Sequence, residues 1–378
     1  MKIGLAVYGG LDGTSGGYRY DRELVAALER HGDEVEVVSV PPPGDEPPAS
    51  GEPTSSAEGP APSIRERLDR PFDVLLQDEL CRPVLSDHTG DLTRPDAIVA
   101  LVHYLRSADP GVENTAQVRE RERQYLGSLD GAICTSQYTC DRATELHSLP
   151  TLVAPPAGRH EGAAVSRDTV RRRTRAAPLR IAFVGNLLPR KGVLTLLAAL
   201  ARVEQEWQLT VVGGDADQEY ATQVRDRADS LSIADRVAFL GRIDDDRLEA
   251  VYRRSHVLAV PSRCEPFGMV YLEAMEYGVV PIATRVGGAD EIVDDGRNGV
   301  VVDPTDPAAI AAQVRRLGRE RDRLSQLGTT ALETAADHPT WNETAAAIRS
   351  FVQAELSTSA TGAGENATPN RPDTGDHP

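Results

Sequence analysis

The sequence predicts an α/β protein of two doubly wound domains that face each other across a cleft. Three observations carry that expectation. The chain of 378 residues is longer than one ordinary hydrophobic core supports and suits two. A short apolar run, a glycine turn and an amphipathic helix open the chain at Ile3 to Tyr8 with Gly9-Gly10, and the pattern restarts at Leu179 to Val184 with Gly185. Between the two, residues 166–178 carry an Arg171-Arg172-Arg173 cluster and no strand-like run, which marks a linker.

The first domain is expected over 1–165. Its opening strand runs into a glycine-rich loop ending at Gly16-Gly17 and then a helix with Leu24, Val25, Ala27 and Leu28 on its apolar face. A dinucleotide-binding unit would look similar, but its second strand should end in an acidic residue for a ribose. Here Val35 to Val40 runs into Pro41-Pro42-Pro43, which disfavours a dehydrogenase. Residues 41–63 are Pro, Gly, Ser and acidic residues with almost nothing apolar, the composition of a flexible insertion. Strands follow at Asp73 to Leu76, Ala97 to Val102, Gly131 to Thr135 and Thr151 to Ala154. His103 stands directly after the strand that ends at Val102, where ligands of open α/β sheets bind, and Ser136 reads as a helix N-cap.

The second domain is expected over 179–336. The turn Gly185-Asn186-Leu187-Leu188-Pro189-Arg190-Lys191-Gly192 leads from its first strand into a helix over Val193 to Val203. Further strands are expected at Leu209 to Val212, Val237 to Leu240, His256 to Val260, Pro281 to Thr284 and Val300 to Val302, with two helices in 306–336. The Gly213-Gly214 and Gly241-Arg242 turns close two of these strands. A helix from Asn342 to Leu356 follows, and the polar tail 357–378 is expected to be disordered.

A net charge of -17 argues against a nucleic-acid partner, because phosphate backbones are held by Lys and Arg clusters. Lys2 and Lys191 are the only lysines among 41 basic residues. An acidic, lysine-poor surface fits a salt-loving host in which screening removes self-repulsion; a high-GC genome is the alternative source of the same bias. Against that background a lysine kept at a strand-to-helix turn is informative, since a compact ammonium on a flexible stem suits a phosphate. Cys81, Cys134, Cys140 and Cys264 include no Cys-x-x-Cys pair and are expected as reduced thiols. No apolar stretch is long enough for a membrane span and the opening turns too soon for a signal peptide, so a cytoplasmic location is expected. The arginine cluster of the linker reads as a solvated hinge, with contact to an anionic lipid at the inner membrane surface, or to a phosphorylated acceptor, as the other reading.

The most informative stretch is 261–291. A turn around Phe267 leads into a helix whose first N–H groups belong to Gly268, Met269 and Val270, an arrangement that favours an anion. Glu265 precedes that helix and Glu273 lies inside it, with seven residues between them. A carboxylate accepts bonds from two neighbouring hydroxyls, so a diphosphate at the turn would place a hexose at one carboxylate and a ribose at the other.

With Phe267-Gly268 after Glu265, Glu-Ala-Met from Glu273 and Gly287-Gly288 near Glu291, this stretch resembles the signature of retaining glycosyltransferases of family four, whose fold is GT-B. The resemblance implies transfer of a hexose from a nucleoside diphosphate sugar to a glycan, lipid or small-molecule acceptor, with retention at the anomeric carbon. It implies that Gly16 and Gly17 face the cleft, that Lys191 meets the departing diphosphate, and that His103 lies near sugar and acceptor. It implies that the loops at Gly213 and Arg242 hold the base, and that residues 337–356 cross back to the first domain. The family often carries Arg where this chain has Asn186, which leaves Arg190 or Asn186 as the replacement. No metal or other cofactor is implied, because no Asp-x-Asp motif ends a suitable strand. A glycosidase would use the two carboxylates as acid and nucleophile; here hydroxyl binding fits better. An epimerase or phosphorylase on the same fold, or a nucleotide-sugar binder without turnover, are the alternatives.

Overall fold

Runs such as Ile98 to Val102 and Val280 to Thr284, buried at every residue, are the mark of strands covered on both faces, and helical crossovers between parallel strands supply that cover. The computed structural model describes residues 1–42 and 62–356. Two six-stranded parallel sheets form the two domains. The first holds β1 (Lys2–Tyr8), β2 (Glu34–Val40), β3 (Val74–Asp78), β4 (Ile98–Val102), β5 (Gly131–Cys134) and β6 (Thr151–Val153), in the order β2-β1-β3-β4-β5-β6. The second holds β7 (Leu179–Val184), β8 (Trp207–Val212), β9 (Val237–Gly241), β10 (Val257–Ala259), β11 (Val280–Thr284) and β12 (Val300–Val302), in the order β12-β11-β10-β7-β8-β9. Every strand expected from the sequence is present to within a residue or two at its ends.

Strand order reverses between β1 and β3 in one sheet and between β7 and β10 in the other. Helices leave in opposite directions at such a point, opening a crevice beyond the carboxyl ends of the strands. Alternation along β1 and β3 sends Ile3, Leu5, Val7, Val74 and Leu76 to one face of the first sheet, and Ala6 and Leu75 to the other.

The helix Trp341–Phe351 packs on the core of the first domain. Thr340 and Glu343 form a reciprocal capping box at its start. Trp341, Ala345, Ile348 and Phe351 then join the core around Tyr20 and Leu24, with the Trp341 and Tyr20 rings edge to face at 5.2 Å. Its α-helical part stops at Phe351, and Val352–Leu356 continue as a wider π turn.

The stretch 166–178 corrects an expectation. It is no open linker but carries the helix Arg167–Thr174, whose N-cap Ser166 accepts from the Thr169 amide. Val170, Arg173 and Thr174 form one buried stripe against the helix Arg321–Ala336, and Arg173 donates to the Gly278 carbonyl at 2.7 Å. Only Arg171 and Arg172 of the basic cluster stay exposed. The chain crosses between domains earlier, through residues 155–165. There the Glu276 carboxylate accepts the amides of Arg159 and His160, and the Glu276 carbonyl accepts that of Ala164. Burial pushes the Glu276 carboxyl up to about 7 despite those bonds.

Of the expected insertion 41–63 and tail 357–378, residues 43–61 and 357–378 lie outside the described residues. All four cysteines are buried and free of disulfides. No helix among the described residues is long and apolar enough to cross a membrane.

Candidate active site

Two loops meet at the switch point of the second sheet, one leaving β7 and one leaving β10. Their approach depends on Gly192, at a φ of 73°, where a Cβ would collide with the Pro261 carbonyl oxygen. That contact brings Lys191 Nζ to 2.5 Å from Glu265 Oε2, an ion pair whose side chains are only 12% and 9% exposed. Ser262 Oγ donates to the same oxygen at 3.0 Å. Burial pushes the Glu265 carboxyl up, but the charges of Lys191 and Arg190 and the bonds from Lys191 and Ser262 outweigh it and hold the group below its ordinary value. The Glu265 backbone is pinned to the turn after β11: its carbonyl accepts from Gly288 N at 2.9 Å, and a Cβ on Gly287 would strike that carbonyl.

The remaining residues of the predicted donor wall line the same end of the sheet. Asn186 Oδ1 accepts from Gly214 N at 3.2 Å, and Arg242 lies beside both, its Nη2 at 3.3 Å from where a Gly214 Cβ would stand. Arg190 reaches the other way: it donates to the Cys264 carbonyl at 3.4 Å and lies over the Tyr104 ring of the first domain, 5.5 Å from its centre. Phe267 is buried in the second core, and Met269 and Val270 pack against it. Met269 also touches the first core and lies against Gly16. The helix that begins at Met269 ends at Met275, shorter than its apolar pattern suggests, because Gly278 turns the chain into β11.

Glu273 stands apart from Glu265 and is 4% exposed. Its carboxylate is bonded by Arg19 from the first domain, by the Tyr252 hydroxyl at 2.9 Å, and is paired with Arg159 Nε at 3.1 Å. Sequence reasoning missed all three partners. Arg19 belongs to a set of contacts across the cleft. Ser136 Oγ donates to the Pro266 carbonyl at 2.7 Å, and the Glu291 carboxylate accepts the amides of Gln137 and Tyr138, each at 2.8 Å, at the start of the helix Gln137–Leu146.

On the first-domain side, His103 lies at the end of β4 as expected. Its Nε2 is 3.0 Å from Asp21 Oδ1, and its backbone amide donates to Glu79 Oε2 at 2.9 Å. Gly17 packs on the His103 ring, so its missing side chain leaves room for the imidazole. Asp21, Asp78 and His103 each bring one potential ligand atom within 4.8 Å of the others. The bond between His103 and Asp21 accounts for the closeness of those two, and Asp78 Oδ1 accepts from the Leu80 amide. A signal for Asp21 was present in the sequence: it falls on the same helical stripe as Leu24 and Leu28, where a charge faces the core.

Residues 167–334 match the sequence model of the family described as Glycosyl transferases group 1. The chain is 36% identical over 177 residues to a D-inositol 3-phosphate glycosyltransferase of Corynebacterium kroppenstedtii, covering 44% of this chain and 38% of that protein. It is 32% identical over 273 residues to one from Geodermatophilus obscurus, covering 64% and 59%. The chain thus spans less than two thirds of the length of these relatives. Among solved structures, sucrose-phosphate synthase from Thermosynechococcus elongatus superposes with a TM-score of 0.76 at 22% identity, covering 93% of this chain and 98% of that one. Anabaena HepE in complex with UDP and glucose gives 0.73 at 19%, covering 94% and 100%. The fold is therefore GT-B, and its second domain, at residues 167–334, is the part that matches the glycosyl transferases group 1 family.

Proposed function

We propose that this chain is a retaining glycosyltransferase that moves a hexose from a nucleoside diphosphate sugar to a hydroxyl acceptor. The observation that carries this reading is the buried Lys191–Glu265 pair at the switch point of the second sheet. There a cation for a leaving diphosphate and a carboxylate for sugar hydroxyls are held side by side. The activities for which the relatives are named and the UDP and glucose of the HepE structure support a nucleotide-sugar donor.

In this reading the diphosphate lies over the turn 185–192 and the amides of Gly268, Met269 and Val270. Lys191 supplies the principal charge, and Arg190 a second one once it swings from Tyr104. Arg242 and the Gly213-Gly214 turn face the base. Glu265 orients the hexose, and Glu273 binds the ribose after Arg19 has given way, so donor entry and parting of the domains are one event. Retention follows if the departing phosphate itself takes the acceptor's proton on the face it leaves, with no enzymic base and no metal. The acceptor is a glycan, lipid or small molecule bound at the first domain, and the exposed Arg171 and Arg172 are the candidate contacts to an anionic membrane surface.

The test is release of nucleoside diphosphate from a panel of donors, UDP-glucose first, without and with acceptors that include inositol phosphate. Proton coupling at the anomeric carbon of the product reports retention. Binding of every donor without any turnover would reduce the protein to a nucleotide-sugar binder, and an inverted product would remove the front-face mechanism.

A further inference from the structure

His103 ends β4 with its ring between the helix Gly16–Arg30 and the end of β3. Of its two ring nitrogens, Nε2 is committed to Asp21 Oδ1 at 3.0 Å. Asp21 is wholly buried, and its second oxygen, Oδ2, has no hydrogen-bond partner. A buried carboxylate with an idle oxygen is costly unless a positive charge lies against it. Among the described residues, the ion pair that Asp21 forms is with the His103 ring. The rest of the setting holds that ring still: the amides of His103 and Tyr104 donate to Glu79 Oε2, the Tyr20 ring meets the imidazole edge to face at 5.0 Å, and Gly17 lies against its Cδ2 edge.

We infer that Asp21 is a positioning residue, which keeps His103 doubly protonated with Nε2–H turned into the domain and Nδ1–H left to donate to a substrate oxygen. This rests on the transferase reading only for the identity of that oxygen, a sugar hydroxyl or a phosphate oxygen of the departing diphosphate. It gives His103 the work of a fixed donor and excludes it as a general base, because the nitrogen facing substrate already carries its proton.

The titratable groups around the ring agree with the geometry. Asp21 from the helix and Asp78 and Glu79 from the end of β3 act on it directly and the Tyr20 ring packs on it, while Tyr8, Tyr18 and Cys81 lie near Asp78 and Cys134 near Tyr20. Burial alone pushes His103 down, but Asp21, Asp78 and Glu79 reverse this and raise it to about 9. Burial raises Asp78 to about 6 and Glu79 well above the usual carboxylate range, while the nearby His103 lowers both. Burial likewise holds Tyr8, Tyr18 and Tyr20 above their ordinary value, as neutral phenols.

The experiment follows the His103 ring by nitrogen-15 NMR in the full-length protein, its signal assigned by loss in His103→Gln. The wild-type ring should stay cationic through pH 8. In Asp21→Asn, which keeps the shape and an oxygen acceptor but removes the charge, it should titrate at least one unit lower. In parallel, nucleoside diphosphate release from UDP-glucose should fall about tenfold further at pH 8.5 than at pH 6 in that variant, with Asp21→Glu recovering part of the alkaline activity. A structural role alone would lower activity equally at both pH values with the ring titration unmoved, and would overturn the inference. So would a wild-type ring that titrates near 6.5, which reads out even if Asp21→Asn fails to fold. Absence of turnover in wild type would count against the transferase reading, leaving the ring titration to decide the role of Asp21.

Discussion

Removing the ammonium of Lys191 perturbs stability as well as turnover, and the two effects separate by pH. In Lys191→Ala the buried Glu265 carboxylate keeps one bond from Ser262 and the more distant charge of Arg190. Breaking a buried pair from one side costs about 3–5 kcal/mol, and the retained Ser262 bond places this case toward the lower end. The sign follows from linkage. In wild type Glu265 sits below its unfolded value, so it stabilises above that value, and the contribution is lost as pH falls through the folded one. In the variant burial dominates and the carboxyl rises, so the ionised form opposes folding, and the penalty shrinks by about 1.4 kcal/mol per unit below the new value. The assay is urea unfolding of wild type, Lys191→Ala, Glu265→Gln and the double variant at pH 8 and pH 5. The single lysine variant should lose most at pH 8 and least at pH 5, and the double variant should recover the larger part of the loss. Equal losses at both pH values with no recovery in the double variant would refute the buried-pair argument. Turnover should fall by roughly a hundredfold or more in Lys191→Ala at any pH where it is folded, with partial rescue by Lys191→Arg.

Three further outcomes follow from the geometry. In the proposed transferase, Glu265→Gln should lower kcat, because charge would develop on the hexose held at Glu265, whereas Glu273→Gln should raise the donor KM and weaken the nucleoside diphosphate; steady-state kinetics and calorimetric titration check the split. Gly287→Ala, forced against the Glu265 carbonyl at a φ of 111°, should displace that carboxylate and reduce kcat with the second domain still folded, as judged by circular dichroism. If the net charge of -17 reflects a salt-loving host, the melting temperature should climb steadily toward molar KCl, and a flat response would leave genome composition as the source of the lysine shortage.

What the sequence revealed and what it hid divide along the range of the interactions. Strands such as β4 and β11 were legible because burial on both faces demands unbroken apolar runs. Lys191 and Glu265 were legible because a turn and a local motif hold each of them. Arg19 and Arg159 were not: they reach Glu273 from 254 and 114 residues away, and nothing local marks an arginine that will face a distant carboxylate. The helix Arg167–Thr174 was hidden by composition. Its buried stripe is made of Val170, Thr174 and the stem of Arg173, so a segment that packs reads as one that is solvated.

The closing helix has a consequence for how the protein is born. Trp341, Ala345, Ile348 and Phe351 complete the core of a domain whose own strands end at Val153. A ribosome adds the roughly 190 residues from there to Trp341 in about 10–40 s, during which Tyr20 and Leu24 wait without their cover. The second domain, whose sheet is made entirely of consecutive later strands, has its core residues synthesised before that cover arrives. Folding of the first domain therefore finishes after that of the second, and a nascent chain stalled before residue 341 should bind chaperones through its amino-terminal half.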